Sequence, residues 1–273
     1  ELPPVLNFTS PTPNNGTSQS ETNVEINVSI VEETLDKLTY NWNGLNYSYY
    51  DDDFVLMLNF DNVSEIDENS SYFVDISKQQ NNGMCENCPS WNSTGKFGRS
   101  YYFDGTNEYI SIPHDSSFDI TEWTIETWIY PKSGADEIIF RAPSNHITFE
   151  MQYHDNNQNI NLWFEETDDS DHYLYSEPDS VPLNTWTHLI GTYNGSVLNL
   201  YINGVLVNST QTTALPHTGT ADIEIGRGDN GYFKGKIDNI RILNRSLTTN
   251  EAYLHYVSNI EKQNLTQWNF YVN

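Results

Sequence analysis

Trp186-Thr-His-Leu-Ile-Gly-Thr-Tyr193 leads through a short polar turn into Val197-Leu-Asn-Leu-Tyr-Ile202, then Asn203-Gly204, then Val205-Leu-Val-Asn208. The runs are rich in β-branched and aromatic residues and are short for helices, which reads as strands. Asn-Gly tolerates the two positive-φ positions of a type I′ turn, and that turn twists the same way as the strands it joins. A tight antiparallel hairpin is therefore expected here, with a further strand before it. The same texture extends in both directions. Strands are expected at Phe54–Phe60, Ser100–Phe103, Glu108–Ile112, Trp123–Tyr130, Glu137–Arg141, His146–Tyr153, Asn159–Glu165, His172–Tyr175, Asp222–Ile225 and Phe233–Leu243. Many short strands separated by Gly, Asn and Asp are the pattern of a two-sheet β-sandwich or jelly roll.

The ends differ from the middle. Residues 1–20 are rich in Pro, Ser, Thr and Asn and read as a linker or the entry to a β-module. Val24, Ile26, Val28 and Ile30 then alternate as a half-buried strand. Leu38 to Trp42 and Leu45 to Tyr50 form a second pair around Asn43-Gly44. Three strands cannot close a sandwich alone. Residues 1–50 are thus expected to be a partial immunoglobulin-like β-module, 51–262 the jelly roll, and 263–273 a terminal strand that returns to the first module. Residues 22–50 would then pair with 265–272. One short helix is expected near the end of the jelly roll, because Thr248-Thr-Asn-Glu251 has the spacing of a capping box, with Ala252, Leu254, His255 and Val257 carrying it to about Asn259.

Lys and Arg number 12 against 38 Asp and Glu, a net charge of −26. Such a field repels phosphate, which excludes a nucleic-acid partner and an anionic membrane surface. No apolar run is long enough to span a membrane, so no membrane insertion is expected of this fragment. The polarity comes largely from 34 Asn, 24 Ser and 24 Thr, and aromatics at 14% set the chain apart from disordered acidic tails. Eleven Asn-X-Ser/Thr sequons, from Asn7 to Asn264, point to an exported protein. The two cysteines lie in Cys85-Glu-Asn-Cys88. A redox pair would need a strand before it and a helix after it, and zinc would need two further ligands nearby. A tight disulfide in a surface loop is the favoured reading, with a free pair as the alternative. Together these features suggest an excised part of a longer extracellular protein whose signal and anchor lie elsewhere.

Six segments resemble one family in order. Phe103-Asp-Gly-Thr-Asn-Glu-Tyr-Ile110 resembles the FDG-x-x-D/N-Y-I opening of laminin-G-like, concanavalin A-like jelly rolls. Trp123 to Pro131, Asn184 to Tyr193, Leu198 to Gly204, Gly235 to Leu243 and Arg245 to Glu251 resemble the family's later motifs. The resemblance covers roughly Phe54 to Asn259. It implies an all-β, two-sheet sandwich within a surface protein of archaeal type, and the strand periodicity places Trp128, Trp186 and Tyr201 in the sandwich core.

The chemistry weighed against that frame is mostly binding. The superfamily's β-glucanases carry E-x-D-x-x-E on one strand, where period two brings the acids together. No such motif occurs, and Asp222-Ile-Glu224 lacks the third acid. Glu165-Glu166 and Asp168-Asp169 read as a solvated run, and His188 as a packed histidine. No serine sits in a nucleophile elbow. A glycoside hydrolase is therefore the least favoured reading. The resemblance also implies one structural Ca2+. Asp75-Ile-Ser-Lys-Gln-Gln-Asn-Asn-Gly83 is similar to the family's D-x-S-G-N-x-N-x-G loop, with Lys78 and Gln79 as departures, so Asp75 and Asn82 would bind with Asp238 of the late G-x-I-D strand and Asp61. The alternative is an Asx-turn loop that is simply polar. Residues 153–175 are unusually rich in aromatics and amides. Of these, Tyr153, Asn161, Trp163, Tyr173 and Tyr175 are the candidate ligand contacts, since rings cover sugar C–H faces while amides meet hydroxyls. The expected function is a non-catalytic extracellular binding module whose partner is a glycan or a surface protein, with a structural spacer as the alternative.

Overall fold

The computed structural model describes residues 3–18, 24–42, 44–142, 146–167, 170–229 and 231–272. Asn43, Asp168 and Asp169, singled out above, lie outside them.

Two sheets form the jelly roll. In the first, the order is β15 (Asp171–Tyr175), β14 (Asn159–Glu165), β13 (Phe149–His154), β12 (Glu137–Arg141), β19 (Ile223–Ile225), β10 (Ile110–Ile112), β7 (Gly83–Met84) and β6 (Tyr72–Phe73). In the second it is β18 (Val205–Gln211), β17 (Val197–Ile202), β16 (Thr187–Tyr193), β11 (Trp123–Pro131), β20 (Lys234–Leu243), β9 (Ser100–Asp104) and β8 (Ser90–Asn92), with β5 (Phe54–Leu58) also paired to β20. All described pairings are antiparallel, and Ile202↔Val205 closes the Asn203-Gly204 hairpin with both turn residues at positive φ. Trp123, Ile125, Phe149, Leu162 and Ile237, all fully buried, fill the space between the sheets. Each large apolar side chain removed from water this way contributes about 1.5–3 kcal/mol. The sheets meet so closely at Gly191 that a Cβ there would lie 2.6 Å from Leu162 Cδ1.

A third layer covers the outer face of the second sheet. It consists of β1 (Val5–Thr9), β2 (Ile26–Val31), β22 (Gln267–Val272) and β21 (Ser258–Lys262) in that order, with the hairpin β3 (Leu38–Trp42) and β4 (Leu45–Tyr50) beside it. Ile26 pairs with Val272 and Val31 with Gln267, so the last strand lies between β2 and β21. Ile30, Tyr49, Trp268 and Phe270 share one core with Phe54, Met57, Ile190 and Leu243 of the jelly roll. Val5–Thr9, in the stretch read above as a linker or the entry to a β-module, is an edge strand of this layer. Ser258–Lys262 is a strand of this layer. The helix α1 (Thr249–Val257) stops before it, opened by the Thr248–Glu251 capping box. None of the described helices is long and apolar enough to cross a membrane.

Three aromatic placements differ from expectation. Trp186 is only half-buried, against Tyr130 at 5.6 Å. Trp128 is buried, but it stacks on Tyr256 at 5.6 Å and lies under Lys96, outside the inter-sheet core. Tyr201 is buried under the third layer. The seam between that layer and the sheet also holds a charged network. Glu126, fully buried, meets His255 Nδ1 at 2.6 Å, Arg241 Nη1 at 2.8 Å and His188 Nε2 at 3.1 Å. Arg241 also donates to the Tyr49 hydroxyl at 2.9 Å and to Asn259. A β-bulge at Asn239, φ 50°, lets Asp238 and Arg241 both leave the inter-sheet core.

Candidate functional site

Side-chain alternation sorts the end of the first sheet into two faces. Phe149, Met151, Tyr153, Ile160, Leu162, Phe164 and Leu174 enter the inter-sheet core. Glu150, Gln152 and His154, then Asn159, Asn161 and Trp163, then Tyr173 and Tyr175 are left for the opposite face. The register sets them in rows: Glu150↔Trp163↔Tyr173, Gln152↔Asn161↔Tyr175 and His154↔Asn159. Trp163 and Tyr173 lie nearly parallel with centroids 5.0 Å apart, Tyr173 and Tyr175 likewise at 6.2 Å, and His154 stands 6.0 Å from Tyr175. Tyr173 and Tyr175 remain 43% and 46% exposed on a β-sheet face, which for paired tyrosines is an open apolar surface.

Polar groups lie beside and beneath these rings. Gln152 Nε2 donates to Asp136 at 2.7 Å and Glu137 at 3.1 Å, tying β13 to β12. Burial pushes the Glu150 carboxyl up to about 7, and Glu137 and the Trp163 indole beside it pull part of the way back. Neither Glu150 oxygen has a hydrogen-bond partner of good geometry, and the amide oxygens of Asn159 and Asn161 have none either.

Of the five expected contacts, Trp163, Tyr173, Tyr175 and Asn161 share this face. Tyr153 does not. It is fully buried in the core and donates its hydroxyl to Val181 O at 3.2 Å, so it cannot touch a ligand. Its parity matches Phe149 and Met151. Glu150 and Gln152 were missed, and the signal for them was that same alternation.

The expected calcium ligands divide between two places. Asp75 Oδ1 accepts from Met57 N at 2.7 Å and Ser77 N at 2.9 Å, and Oδ2 from Ser77 Oγ and Asn81 N at 2.7 Å each. Asn82 Oδ1 accepts from Asp75 N at 2.8 Å. These oxygens are occupied by donors of their own loop, as in an Asx-type turn, and by Met57 N of β5. Asp61 and Asp238 lie elsewhere, joined by Glu261 of β21. Asp61 accepts from Arg99 N at 2.8 Å, and Asp238 from Lys96 N at 2.7 Å and Phe97 N at 3.1 Å. Among the described residues no group of three or more His, Cys, Asp or Glu is arranged to hold a metal ion. As they stand, neither set fits Ca2+, which needs six to eight converging oxygens. Cys85 and Cys88 are joined as a disulfide, S–S 2.01 Å.

The acidic cluster has a thermodynamic consequence. Burial raises the Glu261 carboxyl to about 8, Glu68 to about 7 and Asp61 to about 6, and holds Asp238 well above its usual range, with Asp61 and Glu261 facing it. Each group holds its proton more tightly folded than unfolded. The stability it contributes is full below the unfolded values of 4.5 or 3.8 and is lost as pH rises through the folded value. Since one pKa unit corresponds to about 1.4 kcal/mol, the melting temperature is expected to fall by several degrees between about pH 5.5 and 8.5, with a flatter profile in Glu261→Gln. A profile that rises across this range would refute the assignment.

The chain belongs to the concanavalin A-like lectin/glucanase superfamily: the laminin G-like model of that superfamily matches residues 104–252, more than half of it. No curated protein is matched. Among solved structures, the binding domain of Paraclostridial Mosquitocidal Protein 1 superposes with a TM-score of 0.61 at 16% identity, covering 76% of this chain and 52% of that one. Domain 4 of AbnA, a GH43 extracellular arabinanase from Geobacillus stearothermophilus in complex with arabinotriose, gives 0.58 at 21% identity, covering 73% and 96%. The ligand-binding domain of botulinum neurotoxin serotype D, in complex with N-acetylneuraminic acid, gives 0.57 at 16%, covering 75% and 50%. The chain thus spans about half the length of the toxin domains it matches. At these identities the likeness is one of fold.

Proposed function

We propose that this chain is a non-catalytic carbohydrate-binding module, carried outside the cell by a larger protein, and that its ligand lies across Trp163, Tyr173 and Tyr175. The observation that carries the reading is the near-parallel, part-exposed row of these rings on one sheet face, with the amides of Asn161, Asn159 and Gln152 beside it. Rings that cover the C–H faces of a sugar next to groups that meet its hydroxyls are a recurring design of such sites. The sugar complexes of two proteins of similar fold support it. The sequons and the disulfide support an external compartment. Among the sequons, Asn27 is buried and donates to Ser10 O and Glu25, which removes it as an acceptor in the folded chain.

The test is a broad glycan array followed by calorimetric titration of the hits. Truncating a central aromatic contact typically costs 2 kcal/mol or more, so Trp163→Ala is expected to weaken binding by about 30-fold. Its melting temperature should stay close to that of the parent, because the ring lies outside the core. Binding that survives Trp163→Ala would place the site elsewhere. An array without hits would favour a spacer or a protein adhesion module.

A further inference from the structure

The stretch of sequence that supplies this face is one-sided in charge. Between Arg141 and Arg227 the chain has no Lys or Arg and 11 Asp or Glu. Neither flanking arginine serves the aromatic row. Arg141 is buried, held by Thr148, Asp119 and the Gly219 carbonyl. Arg227 pairs with Glu224 at 3.4 Å and lies over the Tyr109 ring. In the sheet register Glu224 is separated from Glu150 by Phe140, so this pair stands beyond the rings.

Beneath the rings lie carboxyl and amide oxygens. Glu150, Asn159 and Asn161 are 0%, 5% and 3% exposed, and neither the Glu150 oxygens nor the two amide oxygens have a hydrogen-bond partner of good geometry. The Asn159 amide nitrogen already donates to Ser176 O at 3.0 Å. The Tyr173 hydroxyl donates to Asp171 at 2.8 Å, which adds a carboxylate at the edge of the row. In such low-dielectric surroundings electrostatic interactions act more strongly than in water.

We infer that this face selects glycans that carry no acidic group: hydroxyl dipoles are drawn to its carboxyl and amide oxygens, while a carboxylate or sulfate meets the Asp171 carboxylate and, among the described residues of β13, β14 and β15, no Lys or Arg. The inference rests on the carbohydrate-binding reading and adds the substrate class. Specificity of this kind comes from the repulsive element as much as from the attractive one. It also separates the chain from the neurotoxin D domain, whose bound N-acetylneuraminic acid is an acidic sugar.

The experiment uses the whole chain on an array of matched pairs, each a neutral oligosaccharide and the same oligosaccharide bearing sialic acid or a uronate. Hits are then titrated at low salt, where Coulomb forces are least screened. Neutral members should bind, their acidic partners should bind at least about tenfold more weakly, and Asp171→Asn should narrow that gap. Acidic partners that bind as well as or better than neutral ones would overturn the inference and leave the binding reading intact. Hits that ignore Trp163→Ala, or no hits of either kind, would overturn the reading itself and the inference with it.

Discussion

Glu126→Ala should lower the melting temperature by roughly 10 °C. Burial alone would push the Glu126 carboxyl up, but His255, Arg241 and His188 around it hold it well below its usual range. Removing the carboxylate leaves Arg241, itself 1% exposed, as an uncompensated charge facing two buried histidines. Breaking a buried pair by deleting one partner costs about 3–5 kcal/mol, and in a domain of this size each kcal/mol corresponds to about 2–4 °C. Calorimetry on the variant reads the effect directly. A loss of less than about 2 °C would mean that the network contributes little and that apolar contacts alone hold the third layer to the sandwich. Replacing the whole network by well-packed apolar residues is a different experiment and could be neutral, since such networks need not be stabilising in sum.

Truncation before Asn264 should be more damaging still. The deletion removes β22, which lies between β2 and β21, and with it Trp268, Phe270 and Val272, all buried. Trp268 stacks edge-on with Tyr50 at 5.3 Å and donates its indole N–H to Glu32 O at 2.9 Å, while Phe270 packs 5.2 Å from both Tyr40 and Tyr49. Loss of one such large side chain costs about 3–5 kcal/mol, and the whole stability of a typical domain is about 5–15 kcal/mol. The expected result is hydrogen exchange without protection over Ile26–Val31 and Leu38–Tyr50, with protection retained in β11, β13 and β16, whose pairings lie within the sandwich. Unchanged exchange in Ile26–Val31 would contradict the role given to the last strand.

The sandwich was legible because its signals are local. Each strand from Trp123 to Leu243 announces itself by alternation or by an Asn-Gly or Gly turn, and the observed bounds differ by a few residues at most. Val5–Thr9 was not legible as a strand: the prolines on either side of it left the stretch open as a linker or the entry to a β-module, and Leu6 and Phe8 remain 57% and 75% exposed, so no burial pattern marks it. Trp163, Tyr173 and Tyr175 could be found from composition. Tyr153 could have been excluded by parity with Phe149 and Met151, once those were taken as the core side. The Asp61–Asp238–Glu261 cluster joins segments distant in sequence, and no spacing rule can assemble it before the fold is known. The same holds for Glu126 with His188 and His255.

The three-layer stacking has a practical side. The second sheet is covered on both faces, by the first sheet on one and by the β1–β2–β22–β21 layer on the other. The first and last strands, Val5–Thr9 and Gln267–Val272, both belong to that covering layer, and the aromatic row lies on the far side of the sandwich from it. A probe, bead or enzyme attached at either terminus would therefore sit behind the module and leave the rings facing outward. For an immobilised reagent, attachment by the N-terminus and attachment by the C-terminus should serve equally well.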